Sequence, residues 1–513
     1  MAPLPYPVSN DPYAAGWLGA QSRNAVDDND PSIPDPLYWA MAMGWEPIRA
    51  CMEGTQYLRR NADRYLPQQP RELEDAWRGR INRSVFSPYF QRVLRTAVGL
   101  ILRKPVFLEG GDETYWEEWR KDVDRQGTDL DEFCRNVLIH SMAYGHQSWL
   151  VDFPDTSNIR TLKDQVDAQL KPYFVPVEIQ SVIGWRQDPR VKAGQLQQVR
   201  IRETAAVPKG RFAVEYKNRV RVLEPKKWEL YEAAGELGNT QWTLIENGRI
   251  TLDQIPLVTT YANKIATLHS EPLFSEIAQL NLTHYQRHAD LIQALHVAAQ
   301  PIMVMAGWDQ NEDTVGLSVN NAIATGPRGE CEIYYVEPAT SSFDSQRDEL
   351  DALVAEMSGL GIAILSNQKN VAESGISKAL DRTDSNAILS VVSKDLEQTL
   401  QAALNLAAEY AGVQPPEVVI DRDFNVDPLD GTGMTAINTL FTSGLVDQQT
   451  ALELLKRGEV LGDDLDVEEV MANAELEQQK SFEQDLAMVE GQAEIAAKHA
   501  PPQAAEKPKP PKG

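Results

Sequence analysis

The sequence predicts an α+β fold, mainly helical, and three patterns carry that expectation. Between Tyr173 and Tyr261 apolar and charged residues alternate, as in QVRIRE and RVRVLE, which is the period of strands with one face turned inward. On either side of that stretch apolar residues recur at three- and four-residue steps, the period of helices. The third pattern is the run from Pro272 to Gln300. There Leu273, Ile277, Leu280, Leu291 and Leu295 form one row, and Phe274, Ala278, Tyr285, Ala289 and Ile292 a second beside it. One helix with two apolar faces is expected, capped by Ser270, with Pro272 in its first turn and Pro301 as its stop. At 1.5 Å per residue it would be about 42 Å long.

The other elements follow in order. Residues 1–36 are rich in Pro, Asn and Asp and lack a basic start followed by an apolar run, so they read as a flexible arm and not as a signal peptide. Three helical stretches follow, YWAMAMGWEPIRACMEG, RELEDAWRGRINRS and PYFQRVLRTAVGLILRKP. In the last of these Val93, Ala97, Leu100 and Ile101 make a stripe opposite Arg92, Arg95 and Arg103, with Arg103 and Lys104 where a helix C-terminus favours cations. DETYWEEWRKDVDRQ and LDEFCRNVLIHSMAYG add two helices before SWLVDFP opens the β region, expected as a twisted antiparallel sheet.

Beyond the long helix, PIMVMAGW and ECEIYYVEP read as short strands, with the turn GPRG before the second. A helix starts near Ser345, weakened towards its end by Gly359 and Gly361. A polar loop, SNQKNVAESGISKALDRTDSN, precedes a further long helix from Asn386 to Tyr410. After Gly433 the chain is helical again, with Asp447 as an N-cap and a turn at Gly462, Asp463 and Asp464. The Pro- and Lys-rich PPQAAEKPKPPKG cannot bury a core and is expected to be disordered.

Composition narrows the function. A 42% hydrophobic content is ample for real cores, and the length suits about three domains. The net charge of −26 argues against a protein that grips nucleic acid by counterion release, which needs a basic surface; it permits one that lets a polyanion slide past, and it also serves solubility. Cys51, Cys134 and Cys331 are odd in number and widely spaced, which fits a reducing compartment and no metal knuckle. No run approaches the roughly 18 apolar residues of a membrane span.

Catalytic motifs are sparse. No Gly-Lys dipeptide occurs, so a phosphate-cradling P-loop is absent. His284, His288 and His296 share a helical face, but Tyr285 stands where a zinc HExxH site needs Glu; a polar stripe at a helix or subunit contact is expected, and no metal. Ser366 and Lys369 satisfy S-x-x-K without the accompanying KTG. Asp421 and Asp423 flank Arg422 and read as an ion-pair network. Neither a catalytic residue nor a cofactor is expected.

The order of long helix, small β module, helix, polar loop and long helix resembles the core of tailed-phage portal proteins. The phrases YLP, RSVFSPYFQRVLRTAVGLILRKPV, YGHQSWLVDFP and LLKRGEVLGDDLDVEEV extend that resemblance collinearly over roughly residues 37 to 475. It implies a portal fold: a wing of helices and antiparallel sheet over 37–270, a stem helix over 271–300, a small α/β clip over 301–342 and a second stem helix over 343–363. A tunnel loop over 364–385 would follow, then a long wing helix and a strand ending at Ile420 and returning to the wing sheet within 386–432, crown helices over 433–498 and a disordered tail over 499–513.

The function implied is that of a homo-oligomeric, dodecameric ring at a unique capsid vertex. Such a ring passes double-stranded DNA during packaging and ejection. It docks the terminase motor and then a head–tail adaptor, and meets the major capsid and scaffolding proteins. Its place is the virion, after assembly in the host cytoplasm, with no membrane partner. By the same resemblance Lys369, Lys378 and Arg382 would line the channel, and Trp308, Arg328 and Glu330 of the clip would meet adaptor or motor. Leu273, Ile277, Leu280, Leu291 and Leu295 would pack subunits together in the stem. Two alternatives stay open: another ring-forming virion connector or baseplate component, and a hydrolase using the carboxylate pair or the histidine face.

Overall fold

The structure is a computed structural model; it describes residues 30–154, 170–188, 190, 195–234, 241–298, 302–306, 332–336, 341–365, 375–422, 424, 431–443, 445–457 and 470–472. The chain forms two compact units, residues 1–424 and 425–513. The fold class is α+β, as the two periodicities predict.

Unit one opens with helix α1 (Pro36–Glu53), whose Asp35 side chain accepts a hydrogen bond from the Leu37 amide at 2.9 Å while Pro36 occupies the first turn. Two short helices, α2 (Thr55–Arg60) and α3 (Ala62–Tyr65), lead to α4 (Glu74–Arg83) and α5 (Tyr89–Ile101). The inward face of α5 is Phe90, Leu94, Ala97, Val98 and Ile101, one step round from the expected stripe; Val93 and Leu100 are only half-buried. Strand β1 (Phe107–Glu109), α6 (Glu113–Trp119) and α7 (Leu130–Tyr144) follow. Asp129 caps α7 by accepting from the Glu132 amide at 2.8 Å, and the helix stops at Gly145, whose positive φ and contact with Ser270 and Glu271 leave no room for a side chain.

Two antiparallel sheets make the β region. Strands β2 (His146–Asp152), β3 (Tyr173–Val177) and β9 (Leu257–Tyr261) form one, in the order β3-β2-β9. The other is a five-stranded meander of β4 (Val182–Gln187), β5 (Leu196–Lys209), β6 (Ala213–Glu224), β7 (Lys227–Ala234) and β8 (Gln241–Arg249). The alternation read from the sequence holds: Val199, Ile201, Val220 and Val222 are buried, and the charged residues between them are not. A small pair, β10 (Lys264–Ala266) and β11 (His269–Ser270), leads into the long helix α8 (Ser275–Ala298).

Strands β12 (Ile302–Ala306) and β13 (Glu332–Val336) pair antiparallel, from Ile302 against Val336 to Ala306 against Glu332. Helix α9 (Ser341–Leu365) starts before the expected Ser345 and runs through both of its glycines. Gly361 has a packing reason: a Cβ there would meet Val93 Cγ2 of α5 at 2.8 Å. Helix α10 (Gly375–Ala411) begins at Gly375 and not at Asn386, so the second part of the expected tunnel loop is helical backbone. The late strand β14 (Glu417–Val419) ends just before Ile420 and pairs with β1, Phe107 against Val419. It returns to a two-stranded ladder of its own and not to the large sheet.

Unit two holds α11 (Gly431–Thr442), α12 (Gln448–Arg457) and a helical turn at residues 470–472. Ile437 and Ala451 are buried, and Asp447 caps α12 by accepting from the Thr450 amide at 3.1 Å. Among the described residues, no helix is long and apolar enough to cross a membrane.

Candidate functional site around the long helix

Helix α8 carries most of the expected packing residues and the histidine face. Its 24 residues make it about 36 Å long at 1.5 Å per residue. Ser270 does not cap it. That residue sits in β11, where its Oγ lies 2.7 Å from His146 Nδ1.

The first half of α8 is fastened to the helices before it. Phe274, Ile277, Ala278, Leu282, Tyr285 and Ala289 all enter the main core of unit one. Asn281, fully buried, supplies the cap that α5 lacks: its Oδ1 accepts from the Phe90 amide at 3.0 Å, and its Nδ2 donates to Ser87 O at 2.9 Å. The Tyr285 hydroxyl meets Ser84 Oγ at 2.8 Å, and Cys51 Sγ donates to Ala278 O at 3.4 Å. Arg80, buried at the end of α4, binds Glu72 at 2.8 Å and lies 3.6 Å from Asp290 of α8. The Glu72 carboxyl is held below its usual range by that guanidinium.

The second half packs mainly on α9, with one hydrogen bond from α4, where Arg83 donates to Gln293 Oε1. Leu291 packs with Phe343 and Leu350 of α9, with Ala294, Leu295 and Ala298 at the margin, and Arg287 reaches Glu349 at 3.2 Å across the same pair of helices. The residues of the expected subunit-packing row fall into two groups by burial within the chain. Ile277, 2% exposed, and Leu291, 6% exposed, are covered by the chain's own side chains, whereas Leu273, Leu280 and Leu295 are half-buried. Both apolar rows of the first half lie against the same core, packed by α1, α4 and α5, while Glu276, Gln279, Gln286 and Arg287 keep the opposite side exposed.

The histidine face divides. His284 and His288 stack with ring centroids 5.8 Å apart, and Tyr89 meets His284 edge-on at 5.2 Å, while His296 stands exposed in the last turn. Burial, and to a lesser extent His288, holds His284 below the ordinary histidine value. No group of three or more metal-ligating side chains occurs among the described residues. Asp421 pairs with Lys104 at 2.9 Å, and Arg422 with Glu397 at 2.6 Å; Asp423 lies outside the described residues.

Helix α10 is anchored on the three-stranded sheet. Leu389, Val392, Leu396, Leu400, Ala403, Leu404 and Ala407 are buried, Asp395 Oδ2 accepts from the Tyr261 amide at 2.6 Å, and Thr399 Oγ1 donates to Thr259 O at 3.2 Å. Burial raises the Asp395 carboxyl above its usual range, and the bond to Tyr261 acts against that. These anchors were not found from the sequence; a carboxylate inside an apolar helical repeat was the available sign. Of the expected channel residues, Lys378 and Arg382 fall in the first turns of the α10 backbone, and Lys369 lies outside the described residues. Trp308, Arg328 and Glu330, between β12 and β13, also lie outside them, as do Ser366 and Cys331. The other two cysteines, Cys51 and Cys134, are buried and unbridged, and burial pushes both thiols up.

A family described only as a domain of unknown function, DUF4055, matches residues 272–411, which is the stretch from α8 to the end of α10. No curated protein matches the chain. Among solved structures, the chain is similar to one in the neck of an empty GTA particle computed with C6 symmetry, at 12% identity over 75% of this chain and 94% of that one, with a TM-score of 0.39. A chain in the virion of a native gene transfer agent particle shares 11% identity over 72% and 90%, TM-score 0.39. One in the neck of a native GTA particle with C12 symmetry shares 11% over 76% and 94%, TM-score 0.38. Scores at this level carry no argument about function.

Proposed function

We propose that the chain is the subunit of a phage-type portal: a closed, dodecameric ring at one capsid vertex through which double-stranded DNA enters and leaves. The observation that carries this reading is the element order from α8 to α10. A helix leaves the core, an antiparallel strand pair follows it, and a second helix packs back along the first through Leu291, Phe343 and Leu350 before the long α10 begins. That order is the one the portal resemblance implies for stem, clip, stem and wing helix. The net charge of −26 fits a conduit whose walls let a polyanion slide past.

In this reading the clip docks the packaging motor and later a head–tail adaptor, and the cations around the start of α10 touch phosphates in passing. The chain has no catalytic centre of its own, its shell and scaffolding partners surround the ring, and its place is the virion. Electron microscopy of the purified full-length chain tests the proposal directly. Closed rings with an axial opening are expected. A compact monomer at every concentration would overturn it.

A further inference from the structure

We infer that the outer half of the β5–β6 hairpin is an arm that docks, by its apolar face, on a second copy of this chain. Strand β4 pairs with β5 only as far as Ile201, and β7 pairs with β6 only from Arg219 onward. Beyond those points, among the described residues, β5 and β6 pair only with each other, from Thr204 against Asn218 to Lys209 against Ala213. Those six pairs extend about 20 Å at 3.4 Å per residue. Gly210, at a φ of +73, makes the turn.

The arm's side chains are sorted in a way solvent does not explain. Residues directly opposite each other share a face, so Thr204, Ala206 and Pro208 of β5 lie on one side with Val214 and Tyr216 of β6. Two residues before Val214, at the turn, stands Phe212. All six are exposed, Phe212 at 87%, Tyr216 at 66% and Val214 at 52%. A two-stranded ribbon is marginal in water alone, and an aromatic strip on it invites cover. Pro208 and the lysines at 209 and 217 discourage another strand from adding to the edges, so contact falls to the face.

Charge selects the occupant. Residues 182–249 carry 13 Lys and Arg against 8 Asp and Glu, a net of +5 in a chain of −26. Within the arm Lys209 lies 3.6 Å from Glu215 and Lys217 2.7 Å from Glu232, and Arg211 sits over the Phe212 ring at 4.9 Å. A basic sheet on an otherwise strongly acidic chain is complementary to another copy of that chain. The chain also offers apolar side chains among carboxylates: Leu73, 76% exposed, precedes Glu74 and Asp75 in the first turn of α4. The arm would thus hold neighbours together outside the stem, which deepens the ring reading and rests on it only for the ring's closure.

The test compares the full-length chain with the triple variant Phe212→Ser, Val214→Ser and Tyr216→Ser by mass photometry over a dilution series, with thermal melting as the folding control. The variant should melt like the parent and need a concentration about a hundredfold higher to half-assemble. Raised salt should weaken the parent as well. If the triple variant misfolds, Lys209→Glu with Arg211→Glu, which leaves the apolar strip intact, should lose assembly in low salt. Rings of unchanged yield from a folded variant would overturn the arm and leave the portal reading standing, its partner then being another protein. Assemblies without an axial opening that the variant abolishes would keep the arm and remove the ring. A parent that stays monomeric throughout overturns both.

Discussion

The two halves of α8 carry the same spacing of apolar side chains and are held in place by very different means. From Phe274 to Ala289 the helix is wrapped by α1, α4 and α5 and bolted through buried polar groups, Asn281 under α5 and Tyr285 against Ser84. From Leu291 onward it has a small apolar cluster with Phe343 and Leu350 of α9 and one hydrogen bond from Arg83 of α4 to Gln293. Identical periodicity therefore gives a structural keel in one half and a lightly held rod in the other. What differs is how much surrounding chain is available to cover the stripe. Regions with few buried contacts open locally at low cost, so the second half is the one freer to adjust.

The difference can be broken or sharpened by substitution. The largest effect is expected for Ile277→Asp, which places a carboxylate at a fully enclosed site: a loss of about 4 kcal/mol or more, read as failure to give a cooperative urea transition. Asn281→Ala should cost about 2–3 kcal/mol, because the Phe90 amide and Ser87 carbonyl lose a partner while staying buried; the urea midpoint measures it. Leu350→Ala should cost about 2 kcal/mol, with faster amide exchange confined to α9 and the last turns of α8. A cost equal to that of Ile277→Asp, or exchange spreading into α1 and α5, would erase the contrast.

The smallest effect is set by pH. His284 is buried with its folded value held below the ordinary 6.5, so it is the unfolded chain that takes up a proton first. Stability is then full at neutral pH and declines as pH falls below about 6.5, by at most about 1.4 kcal/mol per unit for this one group, levelling off below the folded value. His284→Gln should flatten that part of the urea-midpoint profile.

Local chemistry was the legible part of the fold. Asp447 caps the helix it precedes, and the alternation in QVRIRE and RVRVLE sorts buried from open faces, because both depend on a handful of adjacent residues. Less legible was anything decided by distant chain. GISKALDRTDSN has polar residues where a stripe would sit, so its helical backbone is continuous with α10 without a periodic sign. The destination of β14 depends on β1, far away in sequence, and the buried face of α5 is set by α1, α7, α8, α9 and α10, which pack against it from distant parts of the chain.

The site followed the same division. That α8 is a long helix with apolar rows was readable; whether Ile277 and Leu291 face a neighbouring chain or their own was not, since periodicity says a face is covered without saying by what. The Asn281 cap was equally hidden, because it serves a helix whose own start lacks a capping side chain.

The pairing of β1 with β14 also sets an order of events during synthesis. Phe107–Glu109 emerges from the ribosome about three hundred residues before the strand that completes its ladder, and Trp116 waits as long for the Gln414 carbonyl that accepts its indole N–H at 2.8 Å. A nascent chain therefore cannot close this corner until it has been translated almost to the end of the first unit. Fragments from premature termination carry an open strand edge and an orphaned indole, a ready template for wrong pairing.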